Sequence, residues 1–186
     1  MTTVRPRASA FIATSLDGFI ARADGSLDWL DDAQFLIPEG EDCGYRGYMA
    51  SIDGLVIGRH TYERVLTFDP WPFGHTPVSV LSHAPVSVPP ALVRSVHSVQ
   101  GTPATLMARL GQQGTRHVYV DGGQTIQGFL RAGLLDEITI TVVPVLLGAG
   151  RPLFGPLPHD VDLTLMRSRA YEFGFVQSTY RIDVSD

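Results

Sequence analysis

The strongest constraint on the fold of this chain is a pattern that occurs twice, in which an apolar run ends in glycine and continues into a helical pattern. The first copy is VIGRHT at 56–61, and the second is DGGQTI at 121–126. A strand that passes directly into a helix is typical of a parallel sheet with crossover helices. The sequence therefore predicts two strands of one sheet whose carboxyl ends meet helix N-termini.

Hydrophobic periodicity extends this pattern along the chain. The first strand covers 8–14, turns at Asp17-Gly18 and resumes over 19–21; further strands are predicted over 54–58, 78–82 and 117–120. Helices are predicted over 45–52, 61–66 and 124–131, and another begins at Pro103 behind the cap residue Thr102. From residue 136 the pattern changes to alternation, with 163–171 and 175–184 as an antiparallel hairpin. The prediction is an α/β fold with a mostly parallel central sheet and an antiparallel C-terminal hairpin.

Composition excludes several classes of protein. The chain has 186 residues, which suits a single domain over 1–186, and its net charge of -5 argues against binding nucleic acid. All 14 basic residues are arginine, so lysine chemistry and a phosphate-binding P-loop are excluded. The six histidines lack metal-ligand spacing, so no metal site is expected. No apolar stretch is long enough to cross a membrane, which predicts a cytoplasmic protein.

The glycine-ended strands indicate what the chain binds. Ligands of open α/β sheets lie at the carboxyl ends of parallel strands, where helix N-termini attract phosphate. Gly122 and Gly123 would let a diphosphate approach the backbone, and Arg59 and Thr61 could hold the same ligand from the neighbouring strand. The alternative is that the glycines only form a turn, Arg59 is solvated and Thr61 is only a helix cap. Two such ends in one sheet favour a ligand with two or three phosphates.

Five stretches together resemble known enzymes. VIGRHTYE at 56–63, PVSVLS at 77–82 and HVYVDGGQTIQGFL at 117–130 resemble the cofactor-binding skeleton of dihydrofolate reductase. SLDGFIARADGSLDW at 15–29 and GLLDEITITVVPVLLGAGRPLF at 133–154 are similar to the C-terminal reductase domain of the bifunctional riboflavin-biosynthesis deaminase-reductase. The resemblance covers nearly the whole chain.

This resemblance implies a dihydrofolate reductase-like three-layer α/β/α fold that binds NADPH. It places Ala13 and Ile20 beside the nicotinamide, and Ser82 and His83 at the 2′-phosphate end. The implied cofactor-binding residues are Ala13, Ile20, Gly58, Arg59, His60, Thr61, Ser82, His83, Asp121, Gly122, Gly123, Gln124 and Thr125. Asp17 and Trp29 would adjoin the substrate, with Trp29 closing a mobile polar loop over 22–28. Apart from the resemblance, Trp71 could form an apolar wall for a flat substrate, although aromatic residues at such positions usually belong to the core.

Reduction of the substrate also needs a proton donor. Asp28, Asp31 and Asp32 surround Trp29, and a carboxyl desolvated against that ring could act as the acid. Alternatively, these acids only complement a helix dipole. The leading hypothesis is an NADPH-dependent reductase of a small heterocyclic or carbonyl substrate. The alternatives are 5-amino-6-(5-phosphoribosylamino)uracil reductase, a dihydrofolate or pterin reductase, and a noncatalytic dinucleotide sensor. The long C-terminal strands and the apolar PVLLG segment predict a homodimer.

Overall fold

A single eight-stranded sheet organises the computed structural model, which describes residues 5–183. Its strand order is β5-β4-β3-β6-β1-β7-β10-β9, and a separate two-stranded ribbon joins β2 to β8. The strands are β1 (Arg7–Ser15), β2 (Phe19–Ala21), β3 (Gly54–Gly58), β4 (Val78–Leu81), β5 (Val96–Val99), β6 (His117–Asp121), β7 (Glu137–Val143), β8 (Arg151–Pro152), β9 (Leu163–Ala170) and β10 (Val176–Ile182). The helices are α1 (Asp28–Gln34), α2 (Tyr45–Met49), α3 (Arg59–Val65), α4 (Pro103–Gln112) and α5 (Gly123–Arg131).

The pairing of the strands confirms the predicted mixed sheet. The six strands from β5 to β7 pair in parallel, whereas β10 pairs antiparallel with both β7 and β9. The crossover connections follow from the alternation of strands and helices in the first two thirds of the chain. The hairpin of β9 and β10 follows from the alternating pattern near the C-terminus, although residue 184, the predicted end of its second strand, lies outside the described residues.

The helices cover both faces of the sheet, which gives the three-layer arrangement. On one face Leu106 of α4 and Phe129 of α5 pack on Val56 and Val120. On the other face Tyr62 of α3 packs with neighbouring strand residues such as Ile57. Successive residues of a strand point to opposite faces, so short apolar runs such as LVI at 55–57 supply both layers at once.

Helix α4 shows how the local sequence sets one of these elements. Thr102 is its N-cap, and the Thr102 Oγ1 accepts a hydrogen bond from the Thr105 backbone N–H at 3.2 Å. The Thr105 hydroxyl accepts one in return from the Thr102 N–H at 3.0 Å, which completes a capping box. Pro103 occupies the first helical position, where its missing N–H costs nothing. The predicted start of this helix is confirmed.

Several details differ from the predicted elements. Residues 19–21 do not extend the first strand but pair with β8 in the separate ribbon. Strand β5 was not predicted, because its exposed middle residues, His97 and Ser98, hide its apolar ends. The predicted helix over 45–52 ends at Met49, since the backbone turns after that residue. Within residues 5–183, each helix is too short or too polar to cross a membrane.

Candidate functional site

The two glycine-ended strands lie side by side. Strands β3 and β6 are neighbours in the sheet, and Ile57 pairs with Asp121 in their parallel register. Gly58 and Gly122 follow these two residues, so both strand ends meet at the same edge of the sheet. This adjacency is the condition for a single extended ligand to contact both ends.

Side chains at other positions fill the space that these glycines leave. A Cβ atom at Gly58 would lie 2.8 Å from the Thr125 Oγ1, and one at Gly122 would overlap the Thr61 hydroxyl. A Cβ atom at Gly123 would lie 2.7 Å from the Ile20 Cδ1. The two threonine hydroxyls therefore sit at the junction of both strand ends, where only residues without a Cβ atom leave room for them. We call Gly58, Thr61, Gly122, Gly123 and Thr125 the glycine cradle.

Helix α5 begins inside the cradle without a side-chain cap. Its N-cap is Gly122, which has a φ of 94°, a conformation that favours glycine. As a glycine, the N-cap has no side chain to accept hydrogen bonds from the N–H groups of the first turn. The free N–H groups and the positive end of the helix dipole favour a bound anion. Gln124, in the first turn, is exposed.

Helix α3 brings further polar residues to the edge of the cradle. It begins at Arg59, two residues earlier than predicted, so Arg59 and His60 lie in its first turn and are exposed. The Arg59 Nε donates to the Glu63 Oε1 at 2.7 Å, and this bond lowers the pKa of Glu63. Ser82 and His83 follow β4, the strand next to β3, on the side away from β6.

Asp121 is the acid that the fold encloses at this edge. One carboxylate oxygen accepts a hydrogen bond from the Gly122 N–H at 2.8 Å, and Tyr119 lies on the same face of β6. The residue is partly exposed, yet the surrounding protein desolvates its carboxyl and raises its pKa to about 6. Burial, followed by the charge of Asp121, raises the pKa of Tyr45 to about 12. Asp121 can therefore hold a proton in mildly acidic solution and, in a minor fraction of molecules, at neutral pH.

The three aspartates of α1 lie in a different environment from the one predicted. Asp28 is exposed and accepts from the Arg22 Nε at 2.7 Å, and this bond lowers its pKa. The expectation of a desolvated Asp28 with a raised pKa is therefore wrong. Asp31 and Asp32 are also exposed, because Trp29 and Ala33 form the buried face of the helix.

The predicted substrate residues are held mainly by the protein itself. The Asp17 carboxylate accepts from the Ser15 hydroxyl at 2.6 Å and from the Gly148 N–H at 2.7 Å, which ties the first turn to a distant loop. Trp29 lies in α1 rather than in a loop and packs on Val143 and Phe175. Trp71 packs edge-on against Tyr62 and Phe73 in the core. Asp17 thus has a structural position that the sequence did not reveal, whereas Trp71 takes the core position that the sequence offered as the alternative.

Ala13 and Ile20 approach the site from β1 and β2. Ala13 lies two residues beyond Phe11 on the same face of β1, and the Phe11 carbonyl accepts from the Tyr119 hydroxyl at 2.9 Å. Ile20 contacts the Gly123 position from the ribbon. Both residues therefore border the edge of the sheet that carries the cradle and Asp121.

Comparison with known proteins defines the family. The family model of the RibD C-terminal domain matches residues 7–176. The chain belongs to the RibD C-terminal domain family. A crystal structure from Shewanella sp. PV-4, named as a candidate riboflavin biosynthesis protein, is 41% identical, covers 96% of this chain and 99% of its own, and has a TM-score of 0.89.

Two more distant structures share the fold of this RibD C-terminal domain. One is the diaminohydroxyphosphoribosylaminopyrimidine deaminase/5-amino-6-(5-phosphoribosylamino)uracil reductase of Thermotoga maritima (14% identity, TM-score 0.71, 96% of this chain and 57% of that one). The other is the dihydrofolate reductase of Enterococcus faecalis complexed with NADP(H) (15% identity, TM-score 0.65, 96% and 97%). The predicted dihydrofolate reductase-like fold is confirmed.

One residue of the RibD C-terminal domain near the site was not predicted. Arg151 of β8 extends along the polar loop, where its Nε donates to the Ala23 carbonyl at 3.3 Å and its guanidinium borders Gly25. The signal in the sequence is an arginine directly after the glycine-rich turn GAG at 148–150. Among residues 5–183, no cluster of three histidine, cysteine or acidic side chains is placed to bind a metal ion.

Proposed function

We propose that this RibD C-terminal domain is an NADPH-dependent reductase of a small heterocyclic or carbonyl substrate. The observation that carries the proposal is the glycine cradle, in which two adjacent strand ends and an uncapped helix start converge on one space. Such an edge suits the diphosphate of a dinucleotide. The coarser conclusion, a reductase, is also supported by the family and by its structural neighbours.

The residues at the cradle fit NADPH. The N–H groups at the start of α5, with the Thr61 and Thr125 hydroxyls, would hold the diphosphate. Arg59 supplies a planar donor group. Ser82 and His83, which follow β4, would hold the 2′-phosphate that distinguishes NADPH from NADH. When bound, NADPH supplies the hydride. The protein then has to orient the acceptor and deliver a proton.

Asp121 is the group we propose for the proton. It lies at the end of β6 directly before the cradle, on the same face as Tyr119. Its raised pKa of about 6 allows the carboxyl to be protonated in part near neutral pH. The protonated carboxyl gives its proton to the nitrogen or oxygen that becomes basic on reduction. Solvent then restores the proton, because the residue is partly exposed.

The neighbouring side chains support a flat substrate beside Asp121. Phe11 contacts the rings of Tyr45 and Tyr48 at centroid distances of 5.7 and 4.9 Å, and Tyr48 lies 5.1 Å from Tyr119. This aromatic cluster flanks the face of the sheet that carries Asp121. A planar heterocycle stacks well against such rings.

A second candidate function is 5-amino-6-(5-phosphoribosylamino)uracil reduction. It is favoured by membership of the RibD C-terminal domain family and by the 41% identical protein from Shewanella sp. PV-4. Pterin reduction has less support, because the acids of α1 are exposed rather than buried beside Trp29. A noncatalytic sensor would bind a dinucleotide at the cradle but would not use Asp121 as an acid.

Two measurements test the proposed function. NADPH binding should quench the fluorescence of Trp29 and Trp71, and NADH should bind more weakly. Turnover should then appear as oxidation of NADPH, followed by its absorbance, when candidate pyrimidine, pterin and quinone substrates are added in turn. Absence of any dinucleotide binding would reject the reductase, whereas binding without turnover would favour the sensor.

A further inference from the structure

An open depression of about 340 Å³ lies between helix α3 and the polar loop that precedes α1. One wall is formed by two residues of α3, His60 and Arg64. The other wall is formed by the loop and by Arg151 of β8. The six lining residues are Asp24, Gly25, Ser26, His60, Arg64 and Arg151. Two elements far apart in the sequence thus present cationic side chains to one space.

The charges in this depression are only partly balanced. Within the described residues 5–183, neither Arg64 nor Arg151 forms an ion pair. The Arg64 guanidinium lies 5.7 Å from the centre of the Phe68 ring, and the Arg151 Nε donates only to a backbone carbonyl. Asp24 is the acid in the lining, and one of its oxygens already accepts from the Ser26 N–H at 2.8 Å. Glu63 lies 3.7 Å from the His60 Nδ1 and is shared with Arg59.

Each wall of the depression contains a residue that is next in sequence to a residue at the glycine cradle. His60 directly precedes Thr61, whose hydroxyl lies at the Gly122 position. Arg151 directly precedes Pro152, whose carbonyl would lie 3.5 Å from a Cβ atom at Gly123. The depression therefore adjoins the cradle without sharing its residues, and a ligand that extends out of the cradle could place a phosphate there. Such a phosphate would also join the polar loop to α3.

We infer that His60, Arg64 and Arg151 form a phosphate clamp, which receives a phosphate group of the bound ligand and holds the loop over residues 22–28 against α3. The inference rests on the proposed function in that its favoured ligand is the diphosphate of NADPH. Arginine suits this role because its planar donors bind phosphate oxygens in pairs. A phosphate on the substrate is the other source of the same chemistry.

The test compares three glutamine variants, Arg151→Gln, Arg64→Gln and the control Arg131→Gln, which removes an exposed arginine at the far end of α5. The first readout is the Kd for NADPH from tryptophan quenching. The second is the rate of tryptic cleavage after Arg22, inside the loop, with and without NADPH. The third is the binding of inorganic pyrophosphate to each protein. The fourth is the binding of ribose 5-phosphate to protein saturated with NADPH.

We expect Arg151→Gln and Arg64→Gln each to raise the Kd for NADPH about tenfold, the factor that corresponds to roughly 1.4 kcal/mol. NADPH should protect the loop from trypsin in the wild type and in Arg131→Gln but not in Arg151→Gln. If only ribose 5-phosphate binding is weakened, the clamp serves the substrate. If all three variants bind every probe as the wild type does, the clamp is rejected while the reductase stands. If the wild type binds no dinucleotide, the reductase is rejected, and the pyrophosphate affinities alone decide for or against the clamp.

Discussion

Asp121 shows how a single residue gains its chemistry from its surroundings. It directly precedes the glycine pair and so lies next to the cradle, while its side chain faces the aromatic residues on β6 and α2. Desolvation outweighs the one backbone hydrogen bond that its carboxylate accepts, and the pKa rises to about 6. The exposed Asp28, by contrast, has a lowered pKa because Arg22 stabilises its charge.

The first prediction concerns the proton. Asp121→Asn should lower kcat by about 10² to 10⁴, the usual contribution of general acid catalysis, while the Kd for NADPH stays unchanged. In the wild type, kcat should fall as the pH rises above about 6, because the carboxyl loses its proton. This limb should disappear in the variant. The matched control, Asp31→Asn, removes an exposed acid of α1 and should keep both rate and profile. A normal rate for Asp121→Asn would assign the proton to another group.

The same residue predicts a dependence of stability on pH. The folded pKa of Asp121, about 6, lies above the ordinary value of 3.8. The contribution of Asp121 to the free energy of unfolding is therefore fully present below pH 4 and is lost as the pH rises through 6. The loss amounts to at most roughly 3 kcal/mol, at 1.36 kcal/mol per pKa unit. Asp121→Asn should accordingly unfold at a higher temperature than the wild type at pH 8, and at a similar temperature at pH 4. Calorimetry at both pH values measures the unfolding temperatures of the variant and the wild type. If the variant differs from the wild type by the same amount at pH 4 and at pH 8, the prediction is contradicted.

Helix α5 couples local structure to binding at the scale of an element. It begins at a glycine with positive φ, and its first turn carries Gly123 and the buried Thr125. A second glycine, Gly128, lies in the middle of the same helix with open space around it. The two positions therefore separate the role of glycine in ligand approach from its cost in helix stability.

We expect Gly123→Ala to raise the Kd for NADPH at least about tenfold, because the new methyl group would lie 2.7 Å from the Ile20 Cδ1 and would shift the start of α5, where the diphosphate would bind. Gly128→Ala should leave the Kd unchanged and raise the free energy of unfolding by roughly 0.5–1 kcal/mol. Fluorescence titration and denaturant unfolding measure the two quantities. Equal affinities in both variants would show that the diphosphate does not lie on the start of α5.

At the scale of the whole molecule, the sheet has one incompletely covered region. Leu165 of β9 and Val176 of β10 lie on the same face, next to Val142 of β7, and are 55% and 43% exposed. Strand β9 is the last strand of the sheet, so its outer backbone groups have no partner strand in the described structure. A second copy related by a twofold axis would cover this apolar face, including the exposed side chains of the edge strand.

We therefore expect the homodimer that the sequence suggested, formed through β9 and this face. Light scattering coupled to size exclusion should give twice the mass of one chain. Leu165→Asp should yield monomers, because it places a charge in the apolar contact. Arg167→Gln changes the opposite face of the same strand and should remain dimeric. A monomeric wild type, or a dimeric Leu165→Asp, would contradict this interface.

The sequence by itself determined the elements whose signals are local. The apolar runs, the Thr102-Pro103 helix start and the glycines at 58, 122 and 123 could all be read from neighbouring residues, since periodicity and caps act over one or two turns. The resemblance then added the layer arrangement and the expected cofactor.

Only the tertiary structure decided which acid is enclosed and which cations meet. Asp28, Asp31 and Asp32 stand beside a tryptophan in the sequence, yet the helix buries Trp29 and turns the acids to solvent. Asp121 is desolvated by rings from other elements, and Arg151 reaches His60 and Arg64 only because β8 pairs with β2. Desolvation and the approach of charges depend on neighbours that are distant in sequence, so no local pattern encodes them.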